Sequence, residues 1–177
     1  CTATATATIT VNQLPAAAIQ PATVTICNGQ SATLTASGGT TYAWSNSGGS
    51  NAQATFSPTT NTTYTVTVTD GNNCSATASK LVTVNSNPIA VIQPATTAVC
   101  AGNTATLTAS GGTAYAWSNS GGSNAQATFS LAATTTYTVT VTNANNCTAT
   151  ATATVTVNQL PTVGIQPATV TICNGQS

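Results

Sequence analysis

The sequence predicts an all-β chain built from tandem β-sandwich domains of about 73 residues. Three observations lead there. Threonine alternates with alanine or valine over long stretches, a period of two that suits half-buried strands and no helix. Asn-Gly and Gly-Gly pairs fall between those stretches as turn signals. Two tracks of cysteines, Cys1, Cys74, Cys147 and Cys27, Cys100, Cys173, recur every 73 residues, and residues 27–74 match 100–147 at 38 of 48 positions without a gap.

Each expected strand ends at such a signal. Pro15 closes a linker, and the first of seven strands follows it, near 17–20 with 23–26, stopped by Asn28-Gly29. A strand at 31–37 stops at Gly38-Gly39, one at 41–45 follows, and a short one near 48–51 is expected beside Gly48-Gly49. Strands at 53–57, 62–70 and 75–84 complete the module, with Gly71-Asn72 turning the last pair. Parity then places Leu34, Ala36, Tyr42, Trp44, Phe56, Tyr64, Val66, Val68, Val82 and Val84 inward, with Leu107, Tyr115, Trp117, Phe129, Tyr137, Val139 and Val141 as counterparts in the second module. Many other core positions are alanine, so the hydrophobic margin of so small a domain is thin.

A repeat of this length is an independently folded domain rather than a solenoid unit. Residues 1–31 agree with residues 147–177 at 27 of 31 positions, so the sequence closes on itself after 146 residues and reads as a slice of a longer array. Residues 1–13 are expected to be the last strand of a preceding repeat, 15–86 and 88–158 two complete repeats, and 160–177 the start of a following one.

Six cysteines at two fixed spacings, with no histidine in the chain, suit disulfides and an oxidising, extracellular setting rather than a metal site. Pairing Cys27 with Cys74 and Cys100 with Cys147 would keep each bond within a module, leaving Cys1 and Cys173 to partners elsewhere. Each bond would close a loop of about 47 residues and restrict the unfolded chain by roughly 4 kcal/mol. Against this, seven strands that alternate in direction put the two cysteines at opposite poles, beyond the ~7 Å that a disulfide spans between Cα atoms. The rival arrangement staples each module to a neighbour.

Function is bounded by what is missing. Acid–base and nucleophilic catalysis need a group whose pKa can be set near working pH. Here there is one aspartate, Asp70, and one lysine, Lys80, and the second module has Asn143 and Ala153 in their places. No shared activity can rest on them, so no enzyme, cofactor or metal site is expected. One lysine cannot neutralise a phosphate track, which excludes nucleic acid as a partner, and apolar runs are strand-sized, which gives this stretch no membrane insertion. Threonine rows on the outward faces keep the surface wet without charge. They would also allow lateral packing of copies without like-charge repulsion, or, less readily because turns break the ladders, contact with ice or glycans. Trp44 and Trp117 are more plausible as core than as sugar platforms. Lys80 has inward parity while Leu81 faces out, which a bulge or an interface contact would reconcile.

The pattern from Cys27-Asn-Gly-Gln-Ser through Leu34 to Gly39, then Tyr42-Ala-Trp44, then Thr62-Thr-Tyr64 to Asp70-Gly-Asn-Asn-Cys74, resembles the immunoglobulin-like and PKD-like repeats of giant Bacteroidota surface adhesins exported by the type IX secretion route. The resemblance covers the whole chain and implies a stalk or filament role in an extracellular, cell-surface appendage. The nearly chargeless composition departs from most relatives and is closer to a grappling-hook-type filament. The expected function is thus a structural repeat module that extends such an appendage by associating with copies of itself in a multi-chain filament. Prey or host surfaces would be met by regions outside this stretch. The alternative is an adhesin domain that binds glycans or surfaces through threonine rows or aromatic residues.

Overall fold

The computed structural model describes residues 1–166 and 168–175. The chain divides into two compact units, Cys1–Asn87 and Pro88–Ser177. The first contains β1 (Ala18–Gln20), β2 (Val24–Cys27), β3 (Ala32–Ser37), β4 (Thr41–Trp44), β5 (Gln53–Phe56), β6 (Thr62–Thr69) and β7 (Ser75–Asn85). The second repeats them as β8 (Val91–Gln93), β9 (Thr96–Cys100), β10 (Thr104–Ser110), β11 (Ala114–Trp117), β12 (Gln126–Ser130), β13 (Thr135–Thr142) and β14 (Thr148–Asn158). There is no helix among the described residues.

Each unit is a sandwich of two sheets. In the first unit one sheet has the order β1-β3-β5 and the other β2-β7-β6-β4; the second unit repeats both as β8-β10-β12 and β9-β14-β13-β11. All pairings are antiparallel except those of β2 with β7 and β9 with β14, which are parallel. The chain leaves one sheet after Gln20 and joins the other at Val24, with Pro21 between. A proline there removes a donor where no ladder needs one. The peptide bonds before Pro21 and Pro94 are cis. The strand order is that of an immunoglobulin-like sandwich whose first strand is split between the two sheets. The fold is all-β and immunoglobulin-like.

The alternation in the sequence becomes the two faces of each sheet. In β3 the burial pattern alternates strictly, with Ala32, Leu34 and Ala36 buried and the threonines between them exposed. Val66, Val68 and Val82 meet Leu34 in the core, all fully buried, and Val139, Val141, Val155 and Leu107 do the same in the second unit. Burying each such side chain contributes about 1.5–3 kcal/mol. At one end the Phe56 ring stacks on Tyr64 with centroids 3.8 Å apart, and Trp44 meets Phe56 edge-on at 5.8 Å. Aromatic pairs favour these geometries, and they supply bulk that the alanines lack.

Several expectations need correction. No strand forms near 48–51. Asn46, Ser47 and Gly49 take positive φ, and the Trp44 N–H bonds to the Gly49 carbonyl, so the segment is a tight loop and cannot extend. Tyr42, Tyr115 and Val84 are half-buried rather than core. The two tyrosines lie at a sheet edge, where their hydroxyls donate to the Gly39 and Gly112 carbonyls at 2.9 Å. Thr2 to Val11 forms no strand, although its copies become β7 and β14. Alternation fits a residue run to a sheet, but a strand needs a ladder partner, which β6 and β13 provide for the copies.

The cysteines depart most clearly from the within-module scheme. Cys27 and Cys147 are disulfide-bonded, whereas Cys74 and Cys100, their expected partners, are free thiols, as are Cys1 and Cys173. The reason is the parallel pairing. Cys27 stands in register with Asn85, the last residue of β7, while Cys74 precedes the first. The 11 residues of β7 put roughly 36 Å between those ends. Cys100 opposite Asn158 and Cys147 before Thr148 reproduce the arrangement.

Candidate functional site

Asp70 carries the chain's one side-chain carboxylate, and it builds a turn. Its Oδ1 accepts the backbone N–H groups of Asn72 and Cys74, both at 2.9 Å, while its own N–H donates to the Cys74 carbonyl. Asn143 does the same for Asn145 and Cys147, at 3.0 Å each. The interchange of Asp and Asn follows: the turn needs one side-chain oxygen two residues before the first N–H, and either residue supplies it. Asn73 and Asn146 then take the left-handed conformation that closes each hairpin.

Lys80 sits opposite Tyr64 in an unbroken ladder, so no bulge accounts for it. Its stem follows the inward parity and its ammonium emerges at the edge of the sandwich to donate to the Ala22 carbonyl at 2.7 Å. In the second unit Ala153 is buried at that place. Among the described residues no cluster of three or more His, Cys, Asp or Glu could hold a metal ion, and no helix is long and apolar enough to cross a membrane.

Trp44 and Trp117 are 7 % exposed, and each indole Nε1 donates to a loop carbonyl, of Asn51 and Asn124, at 2.9 Å. Gly48 lets the loop close over the rings: a Cβ there would lie 2.6 Å from both Phe56 Cζ and Trp44 Cβ. These aromatic residues are therefore part of the packing and have no face available for a sugar.

Outward hydroxyls line up in rows across the paired strands. On β13 and β14, Thr136, Thr138, Thr140 and Thr142 stand opposite Thr154, Thr152, Thr150 and Thr148. The first unit has Thr65, Thr67 and Thr69 opposite Ser79, Thr77 and Ser75. Some hydroxyls satisfy each other across strands, as Thr65 with Ser79 at 2.8 Å, Thr33 with Thr55 at 3.1 Å and Thr106 with Thr128 at 3.0 Å. These rows present methyls and hydroxyls and carry no charge.

The sequence reading missed the features at the module poles. Asn87 Nδ2 donates to the Asn28 carbonyl at 3.0 Å, and the Asn28 N–H donates to Asn85 O at 2.9 Å. Asn61 Oδ1 accepts the Val84 N–H at 2.8 Å. Repeated asparagines at linker ends were the available signal.

No protein-family model and no curated protein matches the chain. Solved structures do resemble it in fold. The I67–I69 fragment from the titin I-band is 16% identical with a TM-score of 0.40, over 84% of this chain and 67% of that one. Three N-terminal domains of the outer capsid protein Hoc of bacteriophage RB49 are 19% identical with a TM-score of 0.39, over 81% of this chain and 59% of that one. The fibronectin(III)-like modules of Clostridium thermocellum CbhA are 10% identical with a TM-score of 0.38, over 81% and 94%. The chain thus spans little more than half of the phage protein's domains, and 43% of a four-domain Dscam1 structure that it also resembles. The fold assignment stands on the strand order of each unit.

Proposed function

We propose that this chain is a structural repeat module of an extracellular filament or adhesin stalk, a part that sets reach and resists load and carries no chemistry of its own. The observation that carries this reading is the use of Asp70: the chain's one carboxylate side chain holds a hairpin, and an asparagine replaces it in the next module with the same bonds. Loop sequence supports it, because residues 45–57 and 118–130 are identical, where a set of diverging binding sites would vary.

The outer segments belong to neighbouring domains in this reading. Ile9 is 88% exposed, whereas Val82 and Val155 at the equivalent places are fully buried, and Ile165 is 81% exposed where its equivalent Ile92 is buried. Residues 1–13 supply the last strand of one repeat, 15–86 and 88–158 are whole repeats, and 160–177 open another; Pro167, Gln176 and Ser177 of that segment lie outside the described residues. The partner is a further copy of the chain in a multi-chain filament of a surface appendage, of the kind exported by the type IX route in Bacteroidota. An uncharged hydroxyl face imposes no like-charge penalty on side-by-side packing.

The doubly substituted Asp70→Asn, Lys80→Ala chain, which has no charged side chain left, should fold and assemble as the parent does, read by circular dichroism and sedimentation. Loss of assembly with the fold intact would refute the proposal. The exposed threonine faces keep a glycan-binding adhesin as the second reading. Saturable binding to a glycan array, abolished by Thr→Val changes at Thr138 and Thr152, would favour it instead.

A further inference from the structure

Residues 27–74 and 100–147 differ at ten positions, and seven of the ten fall in the short segments 28–31 and 58–61. Asn28, Thr59, Thr60 and Asn61 become Ala101, Ala132, Ala133 and Thr134, and Pro58 becomes Leu131. Changes free to drift would scatter. The first form also returns in the next copy, where residues 174–177 repeat residues 28–31 without a change, so this loop alternates between two forms along the repeats.

The two segments meet at one end of the first unit. One connects β2 to β3 and the other β5 to β6, and the Ser31 and Ser57 hydroxyls bond between them at 2.9 Å. In the second unit the backbone zips the same loops together: the Leu131 N–H donates to the Asn103 carbonyl at 3.2 Å, the Gly102 N–H donates to the Leu131 carbonyl at 2.9 Å, and Thr104 pairs with Ser130. Pro58 has no N–H and cannot repeat the first of these bonds, and in the first unit β5 stops at Phe56 and β3 starts at Ala32. Between the unzipped loops lies an open bowl of about 420 Å³, whose walls include Asn28, Thr59, Thr60, Asn61, Val84 and Asn85.

The two variable asparagines carry more polar groups than the fold uses. Asn61 Oδ1 accepts the Val84 N–H at 2.8 Å, which fixes the amide and leaves Nδ2 over. In the second unit the Thr134 hydroxyl accepts the Val157 N–H at 2.9 Å, so the fold needs an oxygen there and not an amide. Asn28 is held by its backbone, through its N–H to Asn85 and its carbonyl to Asn87, and its side-chain amide makes no hydrogen bond among the described residues. None of the residues lining the bowl is charged or aromatic.

We propose that this bowl binds a neutral sugar unit. An amide sets a donor beside an acceptor, which matches two adjacent sugar hydroxyls, and threonine hydroxyls rotate to give or accept. Half-buried Val84 offers an apolar patch to the C–H face of the ring. A charged ligand would lose its hydration there with no opposite charge to replace it. Without a stacking platform the Kd is about 1 mM, the strength that a ligand of roughly a dozen non-hydrogen atoms reaches. The site is separate from the threonine rows of the sheets, and the inference rests on the loops of the first unit, so it stands or falls apart from the filament reading.

Nuclear magnetic resonance titration of the isotope-labelled chain tests the site, with trisaccharides of glucose, mannose, galactose and N-acetylglucosamine as probes. The expected result is a saturable shift of the Asn28 and Asn61 side-chain amide signals with at least one of these sugars, and none at Ala101 or Thr134. The Asn28→Ala, Thr59→Ala, Thr60→Ala, Asn61→Thr chain carries residues with which the second unit already folds. It should keep its circular dichroism spectrum and its sedimentation behaviour while its affinity falls by about tenfold or more. No saturable shift with any of the sugars, shifts confined to Thr138 and Thr152, an unchanged affinity in the fourfold variant, or a response to tetraglycine and to no sugar would each overturn the proposal.

Discussion

Replacing Asp70 with alanine should cost the first module about 1–2 kcal/mol, whereas asparagine at the same place should cost less than about 0.5 kcal/mol. The carboxylate accepts two backbone N–H groups at 2.9 Å, and alanine leaves both without that partner. A hydrogen bond contributes about 0.5–1.5 kcal/mol net, and the lower half of that range applies because Asp70 is half-exposed and water can reach the freed groups. Asparagine preserves both acceptor contacts, as Asn143 shows with bonds at 3.0 Å. The assay is urea unfolding under reducing conditions, followed by tryptophan emission. Each unit contains one tryptophan, so Asp70→Ala should shift the part of the transition due to Trp44 by about 1 M and leave the part due to Trp117 in place. Asn143→Ala should do the reverse. An Asp70→Asn penalty equal to that of alanine would refute the reasoning, since the charge and not the acceptor would then be what the module needs.

Leu34 is fully buried, and Leu34→Ala should cost about 2–5 kcal/mol, enough to unfold the first module at room temperature while the second stays native by near-ultraviolet circular dichroism. Gly48→Ala should cost about 1–3 kcal/mol by forcing a methyl group against Phe56 and Trp44, whereas Gly71→Ala, which meets nothing within 4 Å and has Ala144 as its counterpart, should change the urea midpoint little or raise it slightly. The melting midpoint should stay constant within about 2 °C from 0.02 to 0.5 M sodium chloride, because one lysine and one aspartate leave little electrostatics to screen.

The strands were legible in the sequence because Leu34, Val66 and Val68 alternate with threonine at a period that only a sheet accommodates. The aromatic cluster was legible too, since Trp44, Phe56 and Tyr64 carry the same inward parity. The loop at 46–51 was not, because its positive-φ residues include Asn46 and Ser47, whose backbone choice depends on the Trp44 indole they enclose. The parallel partner of β2 was hidden for another reason: β7 lies more than fifty residues away, and no local pattern states which strand a short edge segment will join. That one pairing decides where Cys27 lies and so which cysteine it can reach. The sequence shows Asp70 only as a lone charge replaced by Asn143 in the next repeat; its role as a turn acceptor lies in the backbone N–H groups of a loop that folds back on it.

Electron cryo-microscopy of the protein in its native assembly tests the proposed structural role most directly. The account predicts several chains side by side with density repeating axially about every 35–40 Å, one module of 73 residues per step, as the length of β7 sets it. Single isolated threads with free ends, or modules carried singly on a surface with no axial repeat, would contradict it.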